Sequence, residues 1–65
     1  MARINVNLIY GRMAEMEMNY TQLAAKSNIS RASISTITHR GTCHPKNAAK
    51  IAKALDIPAS ELIID

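Results

Sequence analysis

Apolar side chains recur along this chain at every third or fourth position, and residues suited to helix ends separate the runs. Val6, Ile9, Met13 and Met16 predict a first amphipathic helix from Asn5 to about Met16, with Gly11 as a weak point inside it. Asn19 is placed to cap a second helix, Tyr20 to about Ser27, which buries Leu23 and Ala24. Asn28 then interrupts, being a residue that tolerates the left-handed conformation required just beyond a helix end. Ile29 follows as an apolar plug, and Ser30 caps a third helix, Arg31 to about Thr38, with Ile34 and Ile37 facing inward. Arg40 to Cys43 reads as a loop. His44-Pro45 opens a fourth helix, because proline at the first helical position loses no hydrogen bond. Ala48, Ile51, Ala52 and Leu55 form its stripe, Asp56-Ile57-Pro58 a turn, and Ala59 to Ile63 a short fifth helix. Residues 1–4 read as a loose arm, and no repeat or linker divides the chain.

The expected architecture is therefore all-α, a compact five-helix bundle in one domain spanning residues 1–65. Composition agrees: 48% of residues are apolar, which excludes a disordered tail, and aromatics make up only 3%, which disfavours a β-sandwich. A chain of 65 residues buries a marginal core. Cys43 is its one cysteine, so no internal disulfide supports that core as it would in a small secreted domain. There is no basic-then-apolar leader pattern at the start and no apolar run near the ~20 residues of a membrane span. These features lead us to expect a reducing cytoplasm.

Charge changes the picture more than composition does. The net charge of +3 is modest, but the five acids are Glu15, Glu17, Asp56, Glu61 and Asp65. Between Met18 and Leu55 no acid occurs, while Lys26, Arg31, Arg40, Lys46, Lys50 and Lys53 do. A one-sign field over the middle of a small domain suits a surface that faces phosphates. A basic face solvated by water alone is the competing reading.

The informative unit runs from Tyr20 to Ile37, where two short helices meet across a tight turn and Leu23, Ala24, Ile29, Ile34 and Ile37 face one another. This pattern resembles the helix-turn-helix of the Cro/C1-type (Xre) family of phage and bacterial regulators. The resemblance continues through Gly41, "KIAKALDI" (Lys50 to Ile57) and "SEL" (Ser60 to Leu62), covering roughly residues 5 to 63. Two positions depart from it: Asn28 stands where the family usually has glycine, and Ser27 where a bulkier apolar residue is common. The resemblance implies a lambda-repressor-like DNA-binding domain and a small, Cro-like transcriptional regulator or minimal repressor of a phage or mobile element.

It also implies roles for residues. The third helix enters the major groove, with Arg31, Ala32, Ser35 and Thr36 over base edges. Arg31 suits guanine, Ala32 a thymine methyl, and the two short hydroxyls discriminate weakly. The start of the second helix, Asn19, Tyr20 and Thr21, is placed to clamp a phosphate, as is Ser30 at the start of the third. His39, Arg40, Thr42 and Lys46 sit where the family touches the opposite backbone. Lys26 adds a diffuse attraction, whereas Lys50 and Lys53 read as solvated. One reading helix covers only about four or five base pairs, so useful specificity implies a homodimer on a pseudo-palindrome. Leu62, Ile63 and Ile64 form the apolar tail that is the candidate dimer patch.

Other chemistries fit less well. His39, Cys43 and His44 are close in sequence, but three ligands do not make a four-ligand structural zinc site, and His44 is better read as the cap before Pro45. The carboxylates lie near the two chain ends, where no acid is placed to orient either histidine, so no enzyme, cofactor or small-molecule ligand is expected. Met13, Met16 and Met18 belong with the core. A membrane-surface helix conflicts with the need of every apolar stripe for the core. The alternative of a protein-interaction module on the same fold, such as an antitoxin or phage accessory factor, leaves the acid-free middle unexplained.

Overall fold

A computed structural model describes residues 1–64. It contains β1 (Ala2–Arg3), α1 (Val6–Glu15), α2 (Tyr20–Ser27), α3 (Arg31–Arg40), β2 (Thr42–Cys43), α4 (Pro45–Ala54) and α5 (Ala59–Leu62). The helix starts follow from local chemistry. Asn5 Oδ1 accepts the Leu8 amide at 3.1 Å. Asn19 and Gln22 form a reciprocal capping box, with Gln22 N–H to Asn19 Oδ1 at 2.8 Å and Asn19 N–H to Gln22 Oε1 at 2.9 Å. Ser30 Oγ accepts from Ser33 N at 3.2 Å, and His44 Nδ1 accepts from Lys46 N at 3.1 Å, just ahead of Pro45.

Helix ends reverse the chain through left-handed residues. Asn28 adopts φ 59°, as its side chain permits, and Glu17 and Asp56 adopt φ 53° and 58°. At each of the three, the following amide reaches back to an earlier carbonyl: Met18 to Met13, Ile29 to Ala24 and Ile57 to Ala52. Gly41 does the same work after α3 at φ 75°.

The core gathers Ile9, Leu23, Ile34, Ile51, Leu55 and Leu62, all fully buried. α2 packs on both α3 and α4, and α5 closes over α4. Ser27 is buried in this packing, its hydroxyl donating to Ala24 O at 3.4 Å. From the outside, Arg12 Nε donates to Leu55 O at 3.1 Å and ties α1 to the end of α4.

Three expectations need correction. Residues 1–4 are not a loose arm: β1 pairs antiparallel with β2, Ala2 opposite Cys43 and Arg3 opposite Thr42. Ile4 is buried to 4% exposure and bridges Ile63, with Ile4 N–H to Gly41 O, Asn5 N–H to Leu62 O and Ile64 N–H to Arg3 O completing the seam. The stretch Arg40 to Cys43 is not a loop throughout, because α3 runs on to Arg40 and Thr42–Cys43 is a strand. The fifth helix stops at Leu62, leaving Ile63 extended for its bridge to Ile4. For both strands and for Ile63 the cause is pairing with a distant segment, which saturates backbone groups that no local pattern would satisfy, while α3 simply continues until Gly41 ends it.

Candidate nucleic-acid interface

α3 is the element around which the site is built. Ser30 Oγ caps its start and donates to Ser33 Oγ at 2.8 Å, so that hydroxyl is fully engaged in starting the helix. Ile34 and Ile37 turn into the core, and the positions between them turn out. Arg31, Ala32, Ser35 and Thr36 are all exposed, and their spacing of one and four places them on one face. The four residues assigned to base reading thus form a continuous ridge. Thr36 Oγ1 donates to Ala32 O at 3.1 Å, so this side chain offers an outward methyl and lone pairs and keeps no free proton. The Ser35 hydroxyl, by contrast, makes no side-chain hydrogen bond among the described residues, while its backbone carbonyl is engaged by Thr38 Oγ1.

A groove runs along each side of this ridge. One, of about 390 Å3, lies toward α2 and is lined by Tyr20, Arg31, Ala32 and Ser35. The other, of about 310 Å3, lies toward β2 and the start of α4; Ala32, Thr36, Arg40, Thr42 and His44 line it, and Met1 borders it. The pairing of β1 with β2 is what brings the N-terminus there. Lys26, Lys50 and Lys53 line a third groove that shares no residue with α3.

The residues assigned to phosphate contact divide into two groups around the ridge. At the start of α2, the Asn19 side chain is committed to the capping box, which leaves the first-turn amides of Tyr20 and Thr21 as the free donors there. At the other end, His39 and Arg40 are exposed on the last turn of α3, Thr42 is half-buried on β2, and Lys46 is exposed on the first turn of α4. Among the described residues the one ion pair is Arg12 with Glu15 at 3.4 Å, within α1. The cations on α3 and α4 therefore carry no internal counter-charge, and the α4 N-terminus adds its dipole beside Arg40.

The Tyr20 hydroxyl does not stand free at this edge. It lies 2.9 Å from Thr38 Oγ1 and 3.0 Å from the Tyr10 hydroxyl. Thr38 in turn lies 3.1 Å from the carbonyls of Ile34 and Ser35. Tyr10 is held below the ordinary phenol range chiefly by Tyr20, whose hydroxyl can turn to donate to the ionised Tyr10, with nearby Thr38 acting in the same direction. For Tyr20 the Thr38 contact also lowers the pKa, but the bond to Tyr10, burial and the charge of Tyr10 together outweigh it and push the pKa up. Neither Tyr10 nor Thr38 stands out in the sequence, where both look like ordinary helix residues; only the crossing of α1, α2 and α3 brings them to Tyr20.

The remaining assignments separate. Leu62 is not part of a surface patch, being wholly buried in the core, because the seam with β1 draws the chain end inward. Ile63 is half-buried, while Ile64 is 56% exposed. Among the described residues no group of three His, Cys, Asp or Glu side chains is placed to hold a metal ion. Cys43 points into the core, where burial pushes its thiol pKa up. Among the described residues no helix is long and apolar enough to cross a membrane.

With the geometry established, one comparison with known proteins adds to it. The family model for the Cro/C1-type HTH DNA-binding domain matches residues 9–65, from within α1 to the end of the chain. No curated protein and no solved structure matches the chain.

Proposed function

The chain belongs to the Cro/C1-type helix-turn-helix DNA-binding family, and we propose that it regulates transcription as a homodimer that sets α3 of each copy in the major groove of a pseudo-palindromic operator. The observation that carries this reading is the α3 ridge: four exposed residues able to meet base edges, flanked by two grooves and by cations without internal partners. Arg31 reads guanine, and Ala32 with the outward methyl of Thr36 meets thymine methyls. On one side the free helix-start amides of Tyr20 and Thr21 grip the backbone, with Asn19 and Ser30 holding the two helix starts toward it, and His39, Arg40, Thr42 and Lys46 grip it on the other.

Two copies would place their ridges about 34 Å apart along the duplex, one helical turn. We assign the contact between copies to Ile64 and the outer side of Ile63, since Leu62 is spent on the core. The outcome for a gene is repression when such a dimer covers a promoter.

Selection of bound sites from a random duplex pool tests the reading. A two-fold symmetric motif with half-sites one turn apart is the expected result. Binding that neutralises about five phosphates should weaken with salt at a log–log slope near −4 to −5. Affinity independent of salt, or no enriched motif, would overturn it.

A further inference from the structure

The three hydroxyls of Tyr10, Tyr20 and Thr38 link three helices, and counting protons gives the chain a direction. The Ile34 and Ser35 carbonyls can only accept, so the Thr38 proton goes to them and Thr38 Oγ1 is left as an acceptor. Tyr20 must then donate to Thr38, and Tyr10 to Tyr20. Each hydroxyl proton is consumed inside the fold. The single proton of Tyr20 is therefore unavailable to a phosphate oxygen, although Tyr20 stands at the first position of α2, beside the ridge.

We propose that Tyr20 is a positioning residue for base discrimination: held by Thr38 and Tyr10, it fixes α3 against α1 and α2 and forms the wall of the groove beside Arg31, Ala32 and Ser35. This rests on the reading of α3 as the DNA-reading helix and deepens it. Thr38 lies one turn beyond Ser35 on α3, so a bond at Thr38 resists rotation of the ridge about the helix axis. The Tyr20 ring meanwhile sets the width of the 390 Å3 groove into which a base edge at Arg31 or Ser35 must fit. A small rotation misaligns a two-pronged contact from arginine far more than it disturbs a point contact to phosphate.

The test compares the parent with Tyr20→Phe, Tyr10→Phe, Thr38→Val and Thr38→Ser, using the selected operator and a scrambled duplex. Tyr20→Phe keeps the ring and removes the proton. It should lower operator affinity about three- to tenfold, the worth of one hydrogen bond, and leave scrambled-duplex affinity and the salt slope unchanged. Thr38→Val should do the same, the two changes together should cost no more than either alone, and Thr38→Ser should restore discrimination. Tyr10→Phe, which cuts only the outer link, should cost less. Because the Tyr20 amide is kept in this variant, equal loss on both duplexes would make the Tyr20 hydroxyl itself a phosphate contact and overturn the proposal, as would no loss.

Ultraviolet titration of the tyrosines separates this failure from failure of the DNA reading. In the parent the two phenols should ionise apart, Tyr10 first; in Tyr20→Phe the Tyr10 transition should move upward. Superimposed transitions in the parent would show that the chain of hydroxyls does not form. The separated transitions, in a parent that binds no duplex, would leave the chain standing, sink the DNA reading and remove discrimination as its purpose.

Discussion

Truncation of Ile4 distinguishes a structural N-terminus from a loose arm. Ile4 is 4% exposed and belongs to the main core cluster. Its backbone bond to Gly41 O, at 3.0 Å, survives a side-chain change, so Ile4→Ala reports burial alone. Three carbons are lost, which at about 0.8 kcal/mol each is roughly 2.4 kcal/mol of transfer free energy. The incompletely collapsed cavity raises the cost to about 3–4 kcal/mol, within the usual span for such truncations. A domain of 65 residues has a total stability of only about 3–10 kcal/mol. The variant should thus melt about 12–32 °C below the parent, by circular dichroism at 222 nm, with a matching loss in urea titration. If it is already unfolded at 25 °C, Ile4→Val provides a smaller step of about 1 kcal/mol. Losses below about 0.5 kcal/mol in Ile4→Ala would mean that the seam joining β1, β2 and Ile63 does not hold in solution.

Further predictions address the interface and the folded frame. Arg31→Ala should lose about 1–3 kcal/mol of discrimination at one base position, and Lys46→Ala should weaken all sequences evenly and lower the salt slope by about one; equal loss across every site with Arg31→Ala would demote that residue to a phosphate contact. Asn28→Ala, which puts an unassisted Cβ at φ 59°, should cost about 1 kcal/mol in urea melts, and Asn28→Gly no more than a few tenths; equal costs would remove the conformational argument. Cys43 has its folded pKa raised by burial, so its contribution is complete below the thiol's unfolded pKa and is lost as pH rises through the folded value. The stability gap between the parent and Cys43→Ala should therefore narrow as pH rises above the ordinary thiol pKa of about 8.5; a constant gap would contradict the burial of the thiol. Ile64→Asp should shift sedimentation toward monomer, and an unchanged equilibrium would move the dimer contact elsewhere.

The helices and the exposed ridge of α3 were legible in the sequence because their signals are local. Asn19, Ser30 and His44 each cap an amide two or three residues on, Asn28 turns the chain by tolerating the left-handed conformation, and the spacing of Ile34 and Ile37 dictates which α3 residues face out. That Arg31, Ala32, Ser35 and Thr36 face outward follows from that periodicity, whereas the choice of these four for base reading rests on the family resemblance; the acid-free middle comes from simple reading. Only the tertiary structure decided the rest. Two-residue strands have no periodicity to read, and β1 exists because β2, some forty positions away, supplies the partners its backbone lacks. The same seam takes Leu62 from a presumed surface tail into the core and sets Met1 beside the groove along α3. The hydroxyl chain from Tyr10 through Tyr20 to Thr38 likewise depends on three helices crossing at one point. Caps and periodicity settle what each segment becomes, because those energies act within a turn or two. Which segments meet depends on satisfying backbone groups and burying side chains over the whole chain at once, and no short stretch contains that information.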